Sequence, residues 1–298
     1  MKYRLLSGIL MVALLLTAGN GSALGESGEA PAANWKTVGP AAPWNSQFSF
    51  SYLPTAGIGA SAADVSIADY RLKISRNVKL NDHVTLALGG GYGNKHIDSS
   101  ASAHLPRDLH AMYVETGVTW LINDRSFMSL KAFPGIYSDF QEINGDDVRV
   151  PFLALGGYTF DNGLSLVGGF VYRFGYHSGK YIPALGVSYQ PNQDWKLDLV
   201  WPRPALTRTV SPRLQLYIAG DFASDEYELK DHAFGAKALK YSDYKAMGGA
   251  SYILFPDVRI SASAGYAFAR QFMFYDGNRP DLRMDNAPFF KVALDVGW

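Results

Sequence analysis

The 298-residue chain has no cysteine. That excludes a disulfide, a thiolate metal site and a lipid-modified cysteine at a processing site. It has no charge surplus either, with 27 Lys and Arg against 27 Asp and Glu. Such a balance speaks against nucleic acid or a strongly charged partner. Past the first residues it has no apolar run of transmembrane-helix length. If it enters a membrane it must do so as a closed barrel, because only helices and barrels satisfy every backbone group in lipid. There is no glycine-rich phosphate cradle, serine elbow or zinc helix, so neither a cofactor, a metal nor an enzyme activity is expected.

Residues 1–25 read as a cleaved signal peptide. Lys2 and Arg4 supply the positive start, Leu5 to Ala18 the apolar run, and Gly21, Ser22, Ala23 and Gly25 the small residues of a cleavage site. Cleavage after Ala23 and after Gly25 both fit. A retained anchor would need about 20 apolar residues, and Gly19-Asn20-Gly21-Ser22 ends the run sooner. Removing this segment leaves 25 basic against 27 acidic residues, a net charge of −2. Residues 26–44, rich in Ala, Gly and Pro, read as a flexible periplasmic lead-in, with insertion into a barrel mouth as the alternative. Residues 45–298 form the third region.

What that region has in quantity is glycine and aromatic side chains, 30 Gly with 18 Tyr, 17 Phe and 6 Trp in the whole chain. Tyr and Trp suit the two water–lipid interfaces. Period-two alternation recurs throughout, as strands with one apolar face require. Phe48, Phe50 and Tyr52 share a face in Ser46 to Leu53. Tyr70, Leu72 and Ile74 oppose Asp69, Arg71 and Lys73; Val114, Val118, Trp120 and Ile122 oppose Tyr113, Glu115, Gly117 and Thr119. Asp161-Asn162-Gly163 turns one such pair, and Trp195, Leu197, Leu199 and Trp201 oppose Lys196 and Asp198. Fourteen segments can be marked, or twelve if Ala205 to Val210 and one neighbour merge into loops. They are joined alternately by short turns and longer connections. The main polar connections are Asn94 to Arg107, Ser138 to Arg149, Ala223 to Lys240 and Met273 to Ala287. An even strand number with this alternation predicts an all-β, transmembrane, antiparallel up-and-down β-barrel.

The last strand is the clearest. Phe290, Val292, Leu294, Val296 and Trp298 fall on one face and Lys291, Ala293, Asp295 and Gly297 on the other. It resembles the closing strand of bacterial outer-membrane barrels, whose terminal aromatic is read by the assembly machinery. The stretch from Tyr181-Ile182-Pro183-Ala184-Leu185-Gly186 through Trp195-Lys196-Leu197 to Pro202 and Pro204 is similar to a barrel family defined only as a domain of unknown function. These resemblances imply an outer-membrane location, with membrane lipid, lipopolysaccharide and the assembly machinery as partners. They bring no catalytic residues.

The charged residues of the inner faces are Asp69, Arg71, Lys73, Glu115, Lys131, Arg173, Lys196, Asp198, Asp221, Lys245, Arg259, Lys291 and Asp295. Burying so many charges dry costs several kcal/mol each unless they are paired. Either water fills the interior, or a paired network does. Eight basic against five acidic residues point to a weak anion preference in an open lumen. A porin-like passive channel for small solutes is the leading expectation, and a closed structural or surface-interaction barrel the second. A lipid-modifying enzyme would need His177 to serve Ser178 as base, yet adjacent residues in a strand point to opposite faces. A soluble β-sandwich would leave its outer faces polar. His96, His104 and His110 with Asp98 and Asp108, and the acidic groups Asp139, Glu142, Asp146, Asp147 and Asp225, Glu226, Glu228, Asp231, read as loop residues. Asp276-Gly277-Asn278 reads as a turn.

Overall fold

The computed structural model describes residues 44–59 and 62–297. The signal peptide and lead-in expected before Trp44 lie outside the described residues, as does Trp298. Fourteen strands follow in order. They are β1 (Asn45–Gly57), β2 (Asp64–Lys79), β3 (Val84–Ser99), β4 (Asp108–Asn123), and β5 in two pieces (Ser126–Ala132 and Gly135–Ser138). Next come β6 (Val148–Thr159), β7 (Leu164–Phe174), β8 (Tyr181–Tyr189), β9 (Trp195–Val200) and β10 (Ala205–Ser211). The last are β11 (Leu214–Glu228), β12 (Ala238–Phe255), β13 (Val258–Tyr275) and β14 (Ala287–Gly297). Each pairs antiparallel with its neighbours in sequence, and β14 returns to pair β1 from Ser46↔Val296 to Tyr52↔Phe290. The ring is closed, so every strand has a neighbour on each side toward the turns.

The weakest segment, Ala205 to Val210, is a true strand. It pairs with β9 and with β11, and the count is fourteen rather than twelve. Turns at residues 80–83, 124–125, 160–163, 190–194, 212–213 and 256–257 gather at one end, where Asn45 also faces Gly297. The long connections gather at the other end, the loop end. Asn81, Asn123, Asn162 and Asn192 each accept backbone N–H groups two or three residues on, the Asx turn that lets so few residues reverse a strand.

Alternation of side chains holds along each strand, but the chemistry of the two faces changes with height. Near the turns the outer face is apolar and exposed, as at Ile74, Leu88, Val114, Trp120, Leu166, Leu199 and Ile218, while the inner face is polar. Near the loop end the inner face becomes apolar. Val65 and Ile67 on β2 point the same way as Asp69, Arg71 and Lys73 further along, with exposures of 0% for both. They join Leu53, Ile97, Leu109, Tyr227, Leu239, Tyr241, Phe272 and Phe289 in one buried cluster. The turn end is thus greasy outside and polar inside, as a barrel in lipid must be. The loop end is greasy inside, as in a barrel surrounded by water. Burial of such side chains contributes roughly 1.5–3 kcal/mol each.

The strands are uneven in length, and this places the cluster. β12 and β13 run 18 residues each, whereas β9 has 6 and β10 has 7. At about 3.3 Å per residue, β12 and β13 overshoot the low wall of β9 and β10. β11 pairs with β10 only as far as Ala219↔Ala205. Beyond that it turns across the interior and meets β5 in a parallel bridge, Ser138↔Glu228. A bulge keeps β13 in phase with this bend: Ala269 takes φ +50°, two residues oppose Asp243, and Arg270 and Phe272 are thereby buried.

The expected connections are therefore shorter than their polar composition suggests. Asn94 to Ser99 continues β3, Ala223 to Glu228 continues β11, and Ala238 to Lys240 belongs to β12. Beyond the apolar band of the turn-end half, the outer face is no longer uniformly apolar, so strands there lose the pattern by which they are recognised. In the last connection, β13 extends to Tyr275 and Leu282–Arg283 bridges back onto it.

Candidate functional site

Inside the ring the ionised side chains form tiers. In the first, Glu115 of β4 is 1% exposed and sits between Lys73 of β2 and Lys131 of β5, each 2.9 Å from one of its oxygens. Lys73 spans β3 to make this contact because β3 presents glycine there. Gly89 and Gly91 lie inward between the two partners in register. A Cβ at Gly91 would stand 2.5 Å from Cζ of Tyr113.

The second tier joins opposite walls. Asp69 accepts from Arg71 Nε at 2.7 Å and Nη2 at 2.9 Å, and from Lys95. Arg71 Nη2 reaches Asp225 of β11 at 3.3 Å. Between these first two tiers lies a cavity of about 60 Å³ bordered by Arg71, Lys73, Asp225 and the rings of Tyr113, Phe133, Tyr137 and Tyr227.

On the remaining wall, Lys196 pairs with Asp198 at 2.9 Å, and Arg203 with Asp221 at 2.7 Å. Lys245 pairs with Asp243 at 3.0 Å. Asp295 accepts from Gln47 at 2.9 Å and stands opposite Arg259 in register. Lys291 lies beside Ser51 and Ser263. Arg173, 5% exposed, donates to the Ser224 hydroxyl at 3.2 Å and to the Ser224 carbonyl at 2.6 Å.

The structure adds charges that stand in stretches expected to be loops. Lys95, Asp225, Glu226, Glu228 and Lys240 lie on the loop-end halves of β3, β11 and β12. Arg149, 2% exposed, pairs with Glu228 at 2.9 Å and lies 3.7 Å from Glu226. Of the acidic group before β6, Asp139 accepts from the Lys230 backbone at 3.0 Å and Asp147 lies 3.1 Å from Lys230 Nζ. Together these contacts pin the inward-turned end of β11 to β5 and β6. A signal for two of them did exist: Arg149 and Lys240 fall among apolar neighbours, where an unpaired charge is rarely tolerated.

His177 and Ser178 do not meet. The His177 ring bonds Glu226 at 2.8 Å and Asp276 at 2.9 Å and stacks on Tyr275 with centroids 5.1 Å apart. Ser178 accepts from Lys240 at 2.9 Å and is 2.7 Å from the Tyr275 hydroxyl. Burial works against the charged imidazole, but the two carboxylates outweigh it and raise its pKa above the ordinary value. Neighbouring Tyr176 is pushed up to about 12 by burial, against the favourable charge of Arg173. Of the other histidines, His96 pairs with Asp108 at 2.8 Å and His110 with the Tyr92 hydroxyl at 2.8 Å. His104 closes a short 3-10 turn with φ +46°.

On the outer face Phe290 and Val292 are exposed, 45% and 40%, and Leu294 and Val296 pair with Phe48 and Ser46 of β1. Trp201, Phe222, Tyr244 and Phe268 continue an aromatic row around the wall, with centroid separations of 5.7, 4.7 and 5.9 Å.

The model of a domain of unknown function, DUF6268, matches residues 57–296. The chain belongs to the DUF6268 family. The match spans the barrel from the end of β1 to the end of β14. Among solved structures, a variant of TodX, a monoaromatic hydrocarbon channel whose parent comes from Pseudomonas putida, is similar. The TM-score is 0.50 at 9% identity, over 86% of this DUF6268 chain and 89% of that one. An outer membrane channel from Pseudomonas putida F1 matches with TM-score 0.47 at 10% identity, covering 85% and 95%. The NanC porin matches with TM-score 0.40 at 9% identity, covering 86% and 100%. At such identities the likeness is one of fold. A comparison with curated proteins finds no match. Fold and family agree in making this member of DUF6268 a closed antiparallel β-barrel.

Proposed function

We propose that the barrel is an outer-membrane channel for small solutes, passive and weakly selective, whose loop end is closed in the state described. The observation that carries this is the lining of the turn-end half. Charges and serine hydroxyls project inward from strands all around the ring and border cavities, where a purely structural barrel could pack apolar side chains at less cost. A signal peptide would export the chain. The turn end would then face the periplasm, as short turns do in bacterial barrels. The exposed bands of Leu, Ile, Trp and Tyr would meet lipid, and the loops lipopolysaccharide. The face of Phe290, Val292, Leu294, Val296 and Trp298 would be presented to the assembly machinery.

Passage requires the loop-end halves of β11 and β12 to swing back toward β10. The ion pairs of Arg149 with Glu226 and Glu228 and of Lys230 with Asp147 hold them in place. The filled loop end also favours a second reading, a closed barrel that acts through its surface. Planar-bilayer recording separates the two. A channel gives discrete conductance steps, more frequent in Glu226→Gln and Glu228→Gln, and the closed barrel leaves the bilayer silent in wild type and variants alike.

A further inference from the structure

We propose that Lys291 is the centre of a binding site for one small inorganic anion of chloride's size. This deepens the channel reading and rests on it for its physiological meaning, though not for its chemistry. Lys291 stands on β14 with a serine opposite it on each side, Ser51 of β1 and Ser263 of β13, both directed inward. It borders a cavity of about 20 Å³ with Ser49, Ser51, Arg71 and Lys245. A space of roughly 10–15 Å³ suffices for a water, so the cavity has room for one water-sized guest.

Two carboxylates, Asp69 and Asp221, also border the cavity, and the question is whether they already neutralise it. Asp69 is bonded by both Arg71 and Lys95, and Asp221 accepts from Arg203 at 2.7 Å. Lys245 is matched by Asp243 at 3.0 Å. Asp221 attracts Lys291 through space, but among the described residues Lys291 has no hydrogen bond or ion pair of its own. An ammonium inside a barrel without a counter-ion is costly. An anion in the cavity supplies one, accepting from the ammonium and from the serine hydroxyls, which can turn to donate. The result is a site in the lumen that offers an ammonium and serine hydroxyls to a guest that is monatomic or nearly so.

The first test is crystallographic and independent of conduction. Crystals of the full-length barrel soaked in sodium bromide should show anomalous density against Lys291 Nζ in wild type and none in Lys291→Gln. Heat-modifiable mobility on gels verifies that the variant has folded. The second is the zero-current potential in a KCl gradient. Wild type should favour chloride, Lys291→Gln should lose that preference several-fold, and Lys291→Glu should reverse it. Lys196→Gln removes the same charge from a paired lysine and should leave most of the preference intact. No bromide at Lys291, or bromide that persists in Lys291→Gln and is therefore an adventitious ion only, overturns the site. Bromide at Lys291 in a protein that never conducts leaves the site standing and overturns the channel. Conduction in which Lys291→Gln and Lys196→Gln behave alike overturns the site and leaves the channel.

Discussion

Replacing Glu115 by glutamine tests how dry the interior is. Glu115 is 1% exposed and holds Lys73 and Lys131 at 2.9 Å each, with side-chain exposures of 6% and 15% for the two lysines. The substitution keeps the size of the side chain and removes the charge that two ammonium groups share. Removing one member of a buried pair costs about 3–5 kcal/mol, because the remaining charge stays desolvated. Pairs in contact with water are worth only about 0–1 kcal/mol each. The geometry places Glu115→Gln nearer the first figure, about 3 kcal/mol, since Lys131 retains some contact with solvent. Urea titration of the refolded barrel in lipid bilayers, followed by tryptophan fluorescence and gel mobility, reads this directly. Combining Glu115→Gln with Lys73→Met should recover part of the loss, as the orphaned ammonium is removed. A loss below about 1 kcal/mol would falsify the claim that this tier is sealed from bulk water, whatever the barrel conducts.

Three further outcomes follow from the same geometry. Leu199 is 52% exposed on the outer face of β9, and Leu199→Arg should destabilise the folded barrel by about 2–4 kcal/mol in bilayers; a neutral result would mean that β9 presents its other face to lipid. Gly91→Ala places a methyl 2.5 Å from the Tyr113 ring and should cost about 1–3 kcal/mol in the same titration, with Tyr113→Leu relieving it; if the double variant is no better than the single, the ring is not the obstacle. His177 has its charged form favoured by Glu226 and Asp276 against burial, beside Tyr275 and within the field of Glu228. Because its pKa is raised on folding, its contribution is complete below the ordinary histidine value and is lost as pH rises through the raised one. Proteolysis of the loop at residues 175–180 should therefore accelerate across that interval in wild type, and a His177→Gln protein showing the same acceleration would assign it to another group.

How much of this was legible from residue order depended on height along the barrel. Around the turn-end half the exposed face is apolar at alternate positions, a pattern that hydrocarbon would impose whatever the tertiary structure does. Runs such as Tyr70, Leu72 and Ile74, or Trp195, Leu197 and Leu199, therefore declare strand, face and neighbour by local pattern alone. Polar reversals built on Asn81, Asn123, Asn162 and Asn192 mark where each pair turns. At the loop end the outer solvent is water and the constraint disappears. Lys95, Asp225, Glu226 and Lys240 there look like solvated loop residues, and Val65, Ile67 and Leu239 point into the barrel although they carry the same apolar signal as lipid-facing positions.

Residue order by itself marked the alternating faces of the turn-end half and the reversals that join its strands, while the pairing of Ala205–Ser211 with both neighbours decided for fourteen strands over twelve. Only the tertiary structure decided which charges meet. Arg71 and Asp225 are 154 residues apart, and Arg149 and Glu228 are 79 apart. Their pairing follows from the shortness of β9 and β10, which frees β11 to turn inward. That is a property of ring closure, in which every strand's height and tilt depends on all the others, and no local pattern contains it.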